Sequence, residues 1–178
     1  MTLWDDIVLG ASQESPLWAE SLLPRDQREL IPVFSPLGDP RFGLAVETIY
    51  EGYLLHYGRS RLFDAPDADT GVLLGDYLYA HGLVRLAEHG NVVAVADLAE
   101  LISLCTQLRA EGPCPAATDG AVWAATASRL GVRDPELDAA RAALRLERDA
   151  ALLERLAARR TGEEALGRAL AAHGARVE

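Results

Sequence analysis

Three aspartates and two arginines crowd one short stretch of the chain. Asp64, Asp67 and Asp69 fall within six residues, and Arg59 and Arg61 lie just before them. Clustered carboxylates can hold Mg²⁺ or Ca²⁺, and neighbouring arginines can bind a diphosphate. Aspartates beside proline and glycine are also ordinary turn residues, and Asp69 or the threonine after it would cap a following helix. The pattern is therefore compatible with a metal and diphosphate site or with a structural turn.

A further carboxylate, Asp76, stands out because of the residues around it. The segment 71–82 has the spacing of a helix, and this helix sets Asp76 on an apolar face. The apolar residues nearest to it on that face are Val72, Leu73, Tyr79, Ala80 and Leu83. A carboxylate that points into a helical core costs free energy unless it is hydrogen-bonded. We therefore expect Asp76 to be a buried structural residue.

The composition excludes several kinds of chemistry. The 178 residues include no lysine, and all 17 basic residues are arginines. A lysine nucleophile, a Schiff base and a phosphate-binding P-loop are therefore excluded. The net charge is −10; residues 1–110 carry 16 acidic and 7 basic groups (−9), and residues 111–178 carry 11 and 10 (−1). An acidic surface repels DNA, RNA and anionic lipid, so we expect no nucleic-acid partner.

The chain has no sequence signal for a membrane or an oxidising compartment. No apolar run approaches the ~18 residues of a membrane span. Asp5 and Asp6 stand where a signal peptide carries positive charge. Cys105 and Cys114 have neither metal-type spacing nor the pattern of a disulfide framework. These features predict a reduced cytoplasmic protein without a membrane span.

The elements that position these side chains are predicted to be helices. Five prolines break residues 1–42 into short pieces, and apolar residues among them indicate that this segment packs onto the main body. Residues 43–178 carry apolar residues at helical spacing, and no segment alternates with period two. Capping and breaking residues divide this domain into helices at about 43–57, 70–89, 92–109, 118–130, 135–160 and 161–174. We expect an all-α, antiparallel bundle of about six helices.

Several short motifs in this order resemble the trans-isoprenyl diphosphate synthases. Residues 73–78 (Leu-Leu-Gly-Asp-Tyr-Leu) resemble the family's Leu-x-Gly-Asp-Tyr/Ala-Leu signature, and residues 54–56 (Leu-Leu-His) resemble the start of its first aspartate-rich motif. Residues 107–112 resemble a Gly-Gln stretch, and residues 118–125 resemble the Lys-Thr-Ala-Ala-Leu-Phe segment. The similarity covers roughly residues 43–160. It implies an all-helical fold that, in catalytic members, binds allylic diphosphates through Mg²⁺ and extends isoprenoid chains.

The chain departs from the family at every residue of that chemistry. Tyr57 and Gly58 stand where the first aspartates belong, and the segment 135–160 contains no Asp-Asp-x-x-Asp motif. Ala117 occupies the position of the family's lysine. Three Mg²⁺ ions would need those carboxylates to neutralise the leaving pyrophosphate. The resemblance therefore implies a polypeptide with no catalytic residues and no cofactor of its own.

Tyr50, Tyr53 and Tyr57 recur at helical spacing on one predicted helix. Such a stripe is typical of a core or an interface. In the light of the resemblance it also offers a contact for an isoprenoid tail, so Tyr53 and Tyr57, with Arg59 and Arg61, form the candidate ligand site. Because the resemblance covers only part of a synthase, we expect apolar helix surface to be open for association. The expected open surfaces are this tyrosine stripe and a second stripe of Leu137, Ala140, Leu144, Ala151 and Leu156.

Three hypotheses about function follow. The first is a catalytically degenerate, small-subunit-like relative that forms a homo- or hetero-oligomer, with a catalytic prenyl diphosphate synthase as its partner. The second is a divergent isoprenoid diphosphate enzyme that binds Mg²⁺ through Asp64, Asp67 and Asp69. The third discards the resemblance and describes a small helical scaffold or regulatory protein.

Overall fold

Helices account for nearly all regular structure in residues 2–177, the part of the chain that the computed structural model describes. Nine α-helices and three short 3₁₀ turns occur in these residues, and no strand does. The prediction of an all-α fold is therefore confirmed. The helices are α1 (Leu3–Glu14), α2 (Pro16–Glu20), α3 (Gly43–Tyr57), α4 (Ala68–Ala87), α5 (Val92–Ala110), α6 (Ala116–Arg129), α7 (Pro135–Glu147), α8 (Ala151–Thr161) and α9 (Glu163–Val177). None of these helices is long and apolar enough to cross a bilayer.

Side-chain caps fix several of the helix starts. The Asn91 side chain accepts the backbone N–H of Ala94 over 3.0 Å at the start of α5. Asp134 caps α7 in the same way, and a proline fills the first helical position. The cap of α4 is Asp67, not Asp69 or Thr70 as the sequence predicted, so that helix begins slightly earlier. Hydrogen bonds between residues close in sequence therefore define where these helices begin.

The predicted helix 135–160 is wrong because the chain breaks in its middle. Arg148 adopts a left-handed backbone with φ of 59°, and its N–H donates to the carbonyl of Leu144 over 3.0 Å to close α7. The Asp149 carboxylate then accepts the N–H of Ala151 over 2.8 Å and opens α8. A second break at Gly162, with φ of 83°, separates α8 from α9. The break at Arg148 divides one of the six predicted helices in two, and α1 and α2 of the N-terminal segment bring the total in residues 2–177 to nine. The break at Gly162 falls at the predicted boundary between the last two helices.

The short helix α6 lies at the centre of the bundle and packs against α5, α8 and α9. Its surface is built largely from alanines, which let neighbouring helices approach closely, and Trp123 fills the space at its middle. The N-terminal segment adds a second, smaller core. In it, Trp4 and Ile7 of α1 pack with Leu74 and Leu78 of α4. Residues 2–42 thus lie against the body.

Glycines bring α3 and α4 together more closely than larger residues would allow. A Cβ atom added at Gly52 would lie 2.8 Å from the carbonyl oxygen of Gly75, and one added at Gly82 would lie 2.5 Å from a side-chain carbon of Ile49. The buried face of α4 is therefore rich in glycine. Its buried residues are Thr70, Gly71, Leu74, Gly75, Leu78, Gly82 and Leu86.

The expectation of a buried Asp76 is wrong for this reason. Its side chain is 64% exposed and lies 3.2 Å from the Nε2 atom of His56. Val72 and Leu73, which the sequence placed with Asp76 in the core, are 46% and 57% exposed. The pattern of apolar side chains predicted the wrong buried face for Asp76. The glycines that contact α3 have no side chain and so add nothing to that pattern.

We expect the glycine contact to be tested by Gly52→Ala. Alanine favours a helix by ~1 kcal/mol over glycine, but here its methyl group would overlap the backbone of α4, so we expect a net loss of ~1–3 kcal/mol in the free energy of unfolding. Gly167→Ala is the matched control, because a Cβ at Gly167 of α9 meets nothing within 4 Å. Urea denaturation of both variants measures the effect. Equal stability of the two would contradict the close packing of α3 on α4.

Candidate functional site

Some of the predicted ligand and metal residues border one open groove, and the others do not. The groove has a volume of about 730 Å³ and lies where the end of α3 meets the loop that leads into α4. Arg59, Asp64 and Asp67 line it together with His56 and Glu29. The remaining predicted residues lie outside its lining: Asp69, Arg61, Tyr53 and Tyr57.

The three aspartates do not come together as a metal site. The Asp67 carboxylate accepts the backbone N–H of Thr70 over 2.7 Å, and this hydrogen bond lowers the pKa of Asp67. Asp64 and Asp69 are exposed to solvent on either side of it in the chain. Within residues 2–177, no group of three or more His, Cys, Asp or Glu side chains is arranged to hold a metal ion. The geometry agrees with the turn interpretation of Asp67.

Arg59 is the one predicted arginine that reaches solvent, and it is already paired. Its Nη1 atom lies 2.8 Å from Glu29 Oε1, while the other oxygen of Glu29 accepts a hydrogen bond from Arg176 over 2.5 Å. The hydrogen bond from Arg176, followed by that from Arg59, lowers the pKa of Glu29 against the opposing effect of burial. An anion that entered the groove would have to displace this carboxylate. The local charge therefore opposes diphosphate binding.

Arg61 was predicted to contact a ligand, and the structure places it in the core instead. Its side chain has no exposed surface and forms ion pairs of 2.6 Å with Glu47 and 2.8 Å with Glu51. The guanidinium group also lies 4.7 Å from the ring centre of Trp4 and 5.0 Å from that of Tyr50. Burial alone would lower the pKa of Arg61, but the two glutamates hold it above its ordinary value. Arg61 is a structural residue that joins α3 to the N-terminal segment.

A second buried network, which the sequence analysis missed, centres on Asp119 of α6. One carboxylate oxygen lies 2.9 Å from His173 Nε2, and the other accepts the Tyr53 hydroxyl and, over 2.5 Å, Arg109 Nη2. Because a carboxylate only accepts, His173 donates from Nε2, and in the neutral imidazole Nδ1 then accepts the Tyr50 hydroxyl over 2.9 Å. The network joins α3, α5, α6 and α9.

The chemistry of this network is that of a sealed core. Burial would raise the pKa of Asp119, but hydrogen bonds from His173 and Tyr53 and the charge of Arg109 lower it overall. Burial raises the pKa of Tyr53 far above its ordinary value. Asp119 and His173 have no exposed surface, while the Arg109 side chain is 18% exposed. A Tyr-His-Asp arrangement can transfer protons in an enzyme, yet here no substrate can reach it.

The surfaces that the sequence expected to be open are mostly closed. Tyr50 and Tyr53 are buried, and Tyr57 is half-buried with its hydroxyl 3.5 Å from Thr106 Oγ1. The expectation of an open tyrosine surface is therefore wrong, and the predicted ligand residue Tyr53 lies in the core. In the second stripe Leu137, Ala140, Leu144 and Leu156 are buried and Ala151 is half-buried. This stripe closes because the break at Arg148 folds α8 back onto α6 and α7.

Comparison with known proteins returned no matching family model, no matching curated protein and no matching solved structure.

We expect Asp119→Asn to destabilise the protein by about 3 kcal/mol, because it removes the charge that Arg109 pairs with in the core. Asp26→Asn, at an exposed position, is the control and should change stability by less than ~0.5 kcal/mol. Chemical denaturation measures both effects. If both substitutions were equally mild, Asp119 would not be a buried ion-pair partner.

The same variant has an expected pH dependence. The folded-state pKa of Asp119 lies below its ordinary value of 3.8, so its ionised form stabilises the fold fully above that value. This contribution is lost as the pH falls through the lower, folded-state pKa. The stability difference between wild type and Asp119→Asn should therefore be constant near neutral pH and shrink below about pH 4.

Proposed function

We propose that this chain is a non-catalytic subunit that binds another protein through the solvent-facing side of α4. The exposed residues of α4 form a mainly apolar outer face that includes two aspartates: Ala68, Asp69, Val72, Leu73, Asp76, Ala80, Val84 and Ala87. Val72, Leu73 and Val84 are 46%, 57% and 60% exposed. Single exposed apolar residues are common, but a helix that turns a mainly apolar face to solvent is typical of an interaction site. This exposed face is the observation that carries the proposal.

The chemistry of the interior supports a role without catalysis. One pair of groups suited to acid–base work, His173 and Asp119, is sealed in the core, whereas His56, which lies 3.2 Å from Asp76, borders the open groove. Arg61 is held by Glu47 and Glu51. Helical bundles commonly bind small molecules between their helices. Here the interior is filled by aromatic rings, such as Phe34 stacked on Trp123 with ring centres 5.4 Å apart.

The partner we propose is a catalytic isoprenyl diphosphate synthase. This choice rests on the ordered motifs in residues 43–160 and on the loss of the metal ligands that the motifs should carry. The net charge of the chain also narrows the choice of partner. The outer face of α4 belongs to residues 1–110, which carry a net charge of −9, so a second copy would be repelled there. A partner with an apolar patch bordered by basic side chains fits this face better.

Leu73→Glu and Val84→Glu test this surface. Each places a carboxylate in the proposed interface and should reduce retention of a co-expressed synthase by at least tenfold, roughly the effect of 1.4 kcal/mol. Val132→Glu is the matched control, because Val132 is 59% exposed outside α4. Affinity co-purification and light scattering measure the complex. If the Leu73→Glu variant retained the synthase as well as the wild type does, the proposed binding surface would be contradicted.

A second candidate function is a metal-assisted diphosphate site, favoured by the shared groove of Arg59, Asp64 and Asp67. We expect no prenyl transfer from the purified chain with isopentenyl and allylic diphosphates and Mg²⁺, because the carboxylates do not converge. Mass spectrometry of the products makes this measurement. Turnover in wild type that Asp64→Asn or Asp67→Asn abolishes, while Asp26→Asn leaves it intact, would establish the second function instead.

A further inference from the structure

A second open surface lies between α7 and α8, on the opposite half of the sequence. The α7–α8 groove has a volume of about 620 Å³. Ala139, Ala140 and Ala158 line it with Leu156, and Leu152 at its edge is 42% exposed. The groove exists because Arg148 breaks the helix and turns α8 back beside α7. Small side chains on its floor leave room for an apolar side chain from another molecule.

The charges along this groove are of two kinds. Glu136 and Arg159 pair across it with 2.9 Å between Oε2 and Nη2, so they neutralise each other within the chain. Arg155 and Glu163 also line the groove, and both are exposed. Neither forms an ion pair with any residue in the range 2–177. One positive and one negative group without an ion-pair partner in residues 2–177 thus border the same apolar groove, on either side of the break at Gly162.

We propose that the α7–α8 groove binds a second copy of this chain about a two-fold axis. In an antiparallel arrangement, Arg155 of each copy meets Glu163 of the other. The interface therefore contains two equivalent ion pairs. Leu152 of each copy enters the groove of the other and covers its alanine floor. The surface is therefore complementary to itself.

The charge distribution of the chain favours this occupant. Residues 111–178 carry a net charge of −1, whereas residues 1–110 carry −9. The charged residues that line the α7–α8 groove, Glu136, Arg155, Arg159 and Glu163, sum to zero, so two copies that meet there bring no net charge together. The paired charges at the rim fix the register, while apolar contact supplies most of the affinity. This surface differs from the outer face of α4, so each can be tested without the other.

Charge reversal tests the two-fold arrangement. Light scattering and sedimentation of the full chain from ~1 to ~100 μM should show a reversible dimer whose mass depends on concentration. Arg155→Glu alone and Glu163→Arg alone should each weaken the dimer at least tenfold by placing like charges together. The double variant carrying both changes should restore it. Arg133→Glu and Glu20→Arg are matched controls, since both residues are exposed and neither lines the groove.

Far-UV circular dichroism verifies that each variant is folded before its mass is compared. Three outcomes would overturn the proposal: a monomer throughout the concentration range, a dimer that ignores both single charge reversals, or a dimer that Leu73→Glu dissociates while Arg155→Glu does not. The last outcome would place self-association on the outer face of α4. Loss of synthase binding in Leu73→Glu with an intact dimer would support both surfaces separately.

Discussion

The carboxylate of Asp119 is a negative charge in the centre of an all-helical core, and the packing of four helices depends on compensating it. Arg109 supplies the positive charge from α5, His173 a donor from α9 and Tyr53 a donor from α3. Removing any one of these partners leaves a buried polar group unsatisfied, which costs more than an ordinary loss of packing. An alternative arrangement of these helices would separate the partners. The network therefore favours one arrangement of otherwise similar, alanine-rich surfaces.

Arg61 likewise compensates buried charge in the outer part of the bundle. Its guanidinium group holds Glu47 and Glu51 on α3, and Glu47 in turn accepts the backbone N–H groups of Val33 and Ser35 over 3.0 and 2.9 Å. The proline-rich segment thereby gains polar anchors as well as apolar contacts. Both networks use charged residues to define structure. Because all their strong donors and acceptors are engaged with each other, little chemical capacity is left for a substrate.

Local patterns in the sequence predicted most of the helices and much less of their packing. The spacing of apolar residues placed α3 at 43–57, and Asn91 marked the start of α5, because periodicity and capping are properties of neighbouring residues. The left-handed turn at Arg148 carries no glycine or proline signal, so α7 and α8 were joined. The contact of Asp119 with His173 spans 54 positions, and no local pattern encodes it. Arg61 was assigned to a ligand because it lies just before the aspartate cluster and arginine can bind a diphosphate, whereas the glutamates that bury it lie on another element.

The exposed position of Asp76 shows which face of α4 is free to bind a partner. The outward face of α4 carries Val72, Leu73 and Val84, and within residues 2–177 nothing covers these side chains. Glycines at 52, 75 and 82 give the opposite face, which also holds Leu74, Leu78 and Leu86, a closer contact with α3 than larger side chains would permit, so intramolecular packing uses that face and leaves Val72, Leu73 and Val84 outward. Folding alone gives no reason for Val72, Leu73 and Val84 to be apolar, since polar residues there would cost the fold little. A binding partner does give such a reason. The uneven charge then separates the two exposed surfaces: the acidic half suits a partner of different composition, and the nearly neutral α7–α8 groove suits a second copy of the chain.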